Sequence, residues 1–85
     1  MSQQLEIDIK TSGQVHVIRL SGHLEGQSAT TLEQEIQKLL DQGRYNIVVD
    51  FAKLVYMSSS GVGVFIGAAQ RVREKEGDLE LAAMR

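Results

Sequence analysis

Asn46-Ile47-Val48-Val49-Asp50-Phe51 is a short, almost continuous apolar run, and Ala52-Lys53-Leu54-Val55-Tyr56-Met57 leads from it into Ser58-Ser59-Ser60-Gly61-Val62-Gly63. Such a run suits a central strand covered on both faces. Beyond the serines the spacing changes. Val62, Phe65, Ile66, Ala69 and Val72 mark a helix with a polar end of Arg71, Arg73, Glu74, Lys75 and Glu76, and Gly77 ends it. Leu79-Glu80-Leu81-Ala82-Ala83 begins another strand.

Upstream, Ala29, Leu32, Ile36, Leu39 and Leu40 repeat at helical spacing, with Ser28 as N-cap and Gly43 as the C-terminal stop. Ser21 to Gln27 reads as a loop with two glycines. Before it, Leu5, Ile7 and Ile9 alternate with Glu6, Asp8 and Lys10, the period of a half-buried strand. Thr11-Ser12-Gly13-Gln14 is turn chemistry, and Val15 to Leu20 is a second strand, so the two form an antiparallel hairpin. The order strand, strand, helix, strand, helix, strand predicts an α/β fold. Its mixed four-stranded sheet has an N-terminal hairpin, parallel strands joined by crossovers, and helices packed on it.

Eighty-five residues fit one small domain with a thin core, which leaves little support for a deep substrate cavity. Nine Lys and Arg against eleven Asp and Glu give a net charge of -2 with no basic block, which argues against nucleic acid. No cysteine means no disulfide, no thiolate nucleophile and no zinc-finger spacing. The N-terminus lacks the pattern of a signal peptide, and no apolar run approaches the roughly 20 residues of a membrane span. A cytoplasmic location without membrane insertion is the expectation.

In open α/β sheets, ligands and partners meet the carboxyl ends of the strands. Two loops qualify, Gly22 to Gln27 and Tyr56 to Gly63, carrying His23, Glu25, Ser28 and the triple serine; Asp50, near the end of its strand, is expected on the same edge. One serine suffices to cap the helix, and the capping role alone accounts for one of three. The free amides and the dipole at a helix start also tolerate an anion. A phosphate on a serine there adds about -1.5 to -2 charges without breaking the fold.

Gly61, Gly63 and Gly67 approach the dinucleotide fingerprint but miss it by one residue and follow a long loop instead of a tight turn. Asp78 or Glu80 lies at about the distance of a ribose contact, so a small nucleotide-binding domain is one alternative reading. Close packing of the helix on the sheet is the simpler account of the glycines. His16 falls in a strand. His23 with Glu25 has no third ligand, so no metal is expected. No Ser–His–Asp order or nucleophile elbow stands out, and no cofactor or enzymatic activity is expected.

The segment from Val48 to Val64 resembles the STAS family, and more narrowly the bacterial anti-sigma factor antagonists. Its strand ends in Asp50. A short loop follows, then an aromatic and an apolar residue (Tyr56-Met57), Ser58-Ser59-Ser60-Gly61, and an apolar helix. Ser21 to Ala29 matches the family's G-x-L-D loop into a helix, and Glu76 to Leu81 its G-G-x-L-x-L strand entry. The resemblance implies a partner switch. The unphosphorylated antagonist binds an anti-sigma factor that is also a serine kinase, the kinase phosphorylates a serine at the helix start, and a serine phosphatase resets it. By position the phosphoacceptor is Ser59, with Ser58 and Ser60 as fallbacks. Glu25, Asp50, Ser58, Ser60, Gly61 and Val62 are the expected partner-binding residues. Ser58 and Glu25 stand where members usually carry Asp. A final helical part typical of the family is absent, so residues 1–85 read as a single STAS-like domain that is C-terminally incomplete. A STAS scaffold or adaptor that is never phosphorylated, in a signalling or transport complex, is the second alternative.

Overall fold

Alternating apolar residues at Leu5, Ile7 and Ile9 and the branched run from Val15 pair as predicted. The computed structural model describes residues 4–83. Strands β1 (Leu5–Ser12), β2 (Val15–Leu24), β3 (Asn46–Met57) and β4 (Asp78–Ala82) form one sheet in the order β1-β2-β3-β4. The first pair is antiparallel, closed by a two-residue turn at Gly13-Gln14, and the other two pairs are parallel. Helices α1 (Gln27–Asp41) and α2 (Ser59–Glu74) supply the crossovers. Two crossovers stepping the same way across the sheet put both helices on one face.

That face carries the core. Ile18, Leu20 and Leu24 of β2 and Ile47 and Val49 of β3 pack with Ala29, Leu32, Ile36, Leu39 and Leu40 of α1 and Val64, Phe65, Ala68 and Val72 of α2. Fully burying a side chain of this kind stabilises by roughly 1.5–3 kcal/mol, so these residues decide which face of each element turns inward. The expectation of a β3 covered on both faces is corrected. Val48 and Asp50 point away from Ile47 and Val49, and no helix among the described residues covers their side.

Element boundaries differ from the sequence reading, and β1 already takes in Thr11 and Ser12, which were expected in the turn. β2 runs on through Ser21-Gly22-His23-Leu24, and β3 through Ala52 to Met57, so both strands absorb residues expected in loops. The N-cap of α1 is Gly26 (φ 52°), not Ser28, whose hydroxyl instead closes the preceding turn. Past the last residue of α2, Glu76 takes the left-handed conformation (φ 59°) ahead of Gly77.

The extension of β3 is irregular. Arg19 pairs with Asp50 and Ser21 with Lys53; Gly22 pairs with Leu54 and His23 with Tyr56. β3 therefore spends one extra residue against β2 at each of two places, and both are bulges of the kind that re-aim a strand. Gly22 takes φ 100° at the second, where an added Cβ would run into the carbonyl oxygen of Gln4. Only glycine fits that crossing.

Candidate functional site

The carboxyl ends of β2 and β3 finish side by side, with His23 opposite Tyr56 and Leu24 opposite Met57. One residue, Ser58, separates β3 from α2. Its extended backbone (φ -83°, ψ 171°) sends its N–H to the carbonyl of Leu24 at 2.9 Å, tying the start of α2 to the end of β2. The two segments singled out in the sequence thus share one edge.

The three serines have different surroundings. Ser58 Oγ accepts from the Gly61 amide at 3.4 Å and is the N-cap. Ser60 Oγ lies 2.8 Å from Ser58 Oγ and shares a hydrogen bond with it. Ser59 is the first residue of α2, is exposed, and has no side-chain partner among the described residues. Asp and Ser are near-equal caps, so Ser58 keeps the capping role open to the Asp of the family pattern. The first turn of α2 contains no carboxylate, which leaves the positive end of its dipole uncompensated within the helix.

Gly61 is buried. A Cβ there would sit 2.9 Å from Leu24 Cγ and 3.0 Å from Met57 Cγ, so its missing side chain lets α2 approach both strand ends. The long loop expected ahead of the glycines is absent, and the glycines lie inside the helix. Gly61 spends its space on packing, which removes the geometric basis for a phosphate-cradling turn at that residue. Val62 is exposed on the next turn, one turn before exposed Ile66.

Glu25 is exposed just past β2, and its Oε2 is 3.9 Å from His23 Nδ1. The Glu25 amide donates to Ser28 Oγ at 2.9 Å, and that hydroxyl is within donating reach of the carbonyls of His23 (2.9 Å) and Glu25 (2.8 Å). This turn holds Glu25 on the same edge as the serines. The ring of His23 lies 5.9 Å from that of half-exposed Tyr56, at a 48° tilt. Tyr56 is a neighbour that the sequence reading did not select. Its exposed aromatic ring just before the serines was the available signal.

Asp50 is not on this edge. β3 continues seven residues past it to Met57, and because two of these are bulge residues the stretch keeps pace with only the five residues that β2 runs past Arg19 to Leu24, about 17 Å at strand rise. The residue is buried, on the sheet face away from the helices, with Oδ2 3.6 Å from Arg19 Nε. The expectation that it lies on the same edge as the serines fails for that reason. Glu25, Ser58, Ser59, Ser60, Gly61 and Val62 are brought together; Asp50 is left out.

The described residues contain no group of three His, Cys, Asp or Glu side chains that could hold a metal, and no helix among them is long and apolar enough to cross a membrane. His16 lies at the opposite end of β2, bonded through Nδ1 to Thr11 Oγ1 at 3.0 Å. Burial, and secondarily the Arg44 guanidinium, hold its pKa below the usual histidine value.

Residues 7–85 match the family described as "Mlab, STAS domain". The chain is 32% identical over 66 residues to BtrV of Bordetella bronchiseptica, an alignment covering 78% of the chain and 57% of that protein. It is 27% identical over 77 residues to the anti-sigma-B factor antagonist of Bacillus subtilis, covering 91% and 70%. The structure of the anti-sigma factor antagonist SpoIIAA in its unphosphorylated form superposes with a TM-score of 0.76 at 30% identity over 94% of this chain and 71% of that one. A Mycobacterium paratuberculosis anti-sigma factor antagonist shares the fold, with a TM-score of 0.85 at 20% identity, covering 96% and 69%. The chain belongs to the STAS domain family. It spans a little over half the length of BtrV and about 70% of the other three.

Proposed function

We propose that this chain is an anti-sigma factor antagonist that binds an anti-sigma factor with serine kinase activity and is released when Ser59 is phosphorylated. It is a binding switch rather than an enzyme, acts on transcription from the cytoplasm, and is reset by a serine phosphatase. The observation that carries the reading is the division of labour among the serines. Ser58 caps α2 and Ser60 bonds Ser58, while the Ser59 hydroxyl is exposed and unengaged among the described residues. The similarity to the Bacillus subtilis anti-sigma-B factor antagonist supports it. So does the similarity to SpoIIAA, whose structure is known in unphosphorylated and phosphorylated forms.

The mechanism follows from charge and position. Glu25, Ser58, Ser60 and Val62 surround Ser59 on one edge and form the partner-binding surface, with exposed Val62 as its apolar contact, while Gly61, expected to touch the partner, is buried and supports this surface from beneath by packing on Leu24 and Met57. A phosphate on Ser59 sits at the positive end of α2, so the domain keeps its fold. The same dianion lies on the edge that carries Glu25, and it repels an acidic or tightly packed partner surface. Asp50 takes no part in this contact.

The test is to incubate the protein with its cognate anti-sigma factor kinase and ATP and to map the phosphate. Modification at Ser59, lost in Ser59→Ala, is expected. Phosphate elsewhere with Ser59→Ala fully competent overturns the assignment. A second reading, a STAS adaptor that is never phosphorylated, is favoured by Ser58 standing where the antagonists carry a carboxylate. Equal partner affinity of the wild type and Ser59→Asp would select it.

A further inference from the structure

The buried carboxylate of Asp50 sits where the interface has no use for it, and its hydrogen bonds indicate another task. Asp50 Oδ1 accepts from the Ala52 amide at 3.0 Å, inside the first bulge of β3. That amide belongs to the extra stretch that the bulge pulls out of register with β2, and an aspartate bonding two residues ahead is the side-chain device that holds such a turn. Asp50 Oδ2 is at the same time 3.6 Å from Arg19 Nε, its direct cross-strand partner.

Register is what the bulge controls. One shifted residue turns every later side chain of a strand to the other face. The two bulges of β3 act in series and cancel, so that Met57 returns to the core side opposite Leu24. There it flanks Gly61 and lets the Ser58 amide reach the Leu24 carbonyl. Without the first bulge, the second alone would leave Met57 facing away from α2.

We propose that Asp50 is a positioning residue for the serine site: by pinning the first bulge it sets the register in which β3 delivers Ser58, Ser59 and Ser60 to the edge. The proposal rests on the reading of Ser59 as the phosphoacceptor and names a determinant of its presentation far along the strand.

Amide hydrogen exchange on the full chain tests it, with phosphorylation kinetics beside it. Asp50→Ala is expected to speed exchange at Ala52 and Ser58 by about tenfold or more while amides in the middle of α1 keep their wild-type rates. Asp50→Asn retains an Oδ1 acceptor and is expected to stay within about threefold of wild type at both amides. With the kinase that modifies the wild type, Asp50→Ala lowers kcat by about tenfold with little change in KM, and Asp50→Asn restores it. Unchanged Ser58 exchange in Asp50→Ala, or alanine and asparagine variants that behave alike, overturns the proposal. If the alanine variant does not fold, Asp50→Asn and Arg19→Met carry the test. Both are expected to keep wild-type exchange at Ser58, and a tenfold rise in either overturns it. A wild-type chain that no kinase modifies, with the amide pattern as expected, removes the acceptor reading and leaves the hold of Asp50 on β3 standing.

Discussion

The hydroxyl oxygens of Ser58 and Ser60 lie 2.8 Å apart, and this bond sorts three identical side chains into different roles. Ser58 satisfies an otherwise orphaned amide at the start of α2 and holds Ser60, so replacing it removes two interactions. Ser58→Ala is expected to destabilise the domain by about 0.5–1 kcal/mol, the low end of the capping range because the bond to Gly61 is 3.4 Å long. Ser58→Asp should restore most of the loss. Ser59→Ala should remain within about 0.5 kcal/mol of wild type, as expected of an exposed side chain without partners. Urea denaturation of the three variants checks the order.

Ser59→Asp separates folding from binding. A carboxylate on the first residue of α2 meets the positive end of the helix and should leave stability unchanged or raise it by about 0.3–1 kcal/mol. Affinity for the anti-sigma partner is expected to fall by at least about tenfold, because the new charge lies on the contact edge. Calorimetry at low and high salt distinguishes the cause. A repulsive effect shrinks as salt screens it, whereas a steric block does not.

The element order was legible because the core faces carry their periods openly. Leu5-Ile7-Ile9 and Ala29-Leu32-Ile36-Leu39-Leu40 each match one template and one face. The ends of β2 and β3 were not. Ser21, Gly22 and His23 have the chemistry of a turn, yet their backbone is held by pairing with β3, which depends on a partner more than thirty residues away. From Phe51 to Met57 two bulges break the period of two, so the strand leaves no alternation to read. Asp50 was misplaced for the same reason. With β3 taken to stop near Phe51, the residue falls at an edge, and with β3 running to Met57 it falls near the middle. Glu25 and the serines were legible as a cluster because each sits beside a helix start, and helix starts are marked locally by residue type.

Two glycines of α2 should respond in opposite directions to alanine. At Gly61 the new methyl group would press on Leu24, which is fully buried, and on Met57, so one of them or the helix must shift. Overpacking of this kind costs about 1–3 kcal/mol. At Gly63 nothing lies within 4 Å of the added Cβ, and the backbone is ordinary helix. Gly63→Ala should therefore stabilise the domain by about 0.5–1 kcal/mol. Thermal unfolding of both variants measures the difference. A Gly61→Ala protein as stable as wild type would show that Leu24 and Met57 can yield, and that the close approach of α2 to the strand ends is not required.

Acid should weaken the fold through His16. The residue is 5% exposed, its ring bonds Thr11 through Nδ1, and its protonation is disfavoured by burial first and by Arg44 second. Its pKa in the folded chain lies below the unfolded value near 6.5, so the unfolded chain takes up the proton more readily. This contribution to stability is complete above about pH 6.5 and is lost progressively as the pH falls from there toward the lowered folded value. The urea midpoint is expected to drop between pH 7.5 and 5.5, and Arg44→Gln, by removing the second cause, should narrow that drop. Other groups titrate over the same range, so the informative quantity is the difference between wild type and His16→Gln. The variant should be less stable than wild type at pH 7.5, where it loses the buried ring, and should fall less steeply toward pH 5.5. Parallel curves for the two proteins would mean that His16 is protonated as easily folded as unfolded, in conflict with its burial.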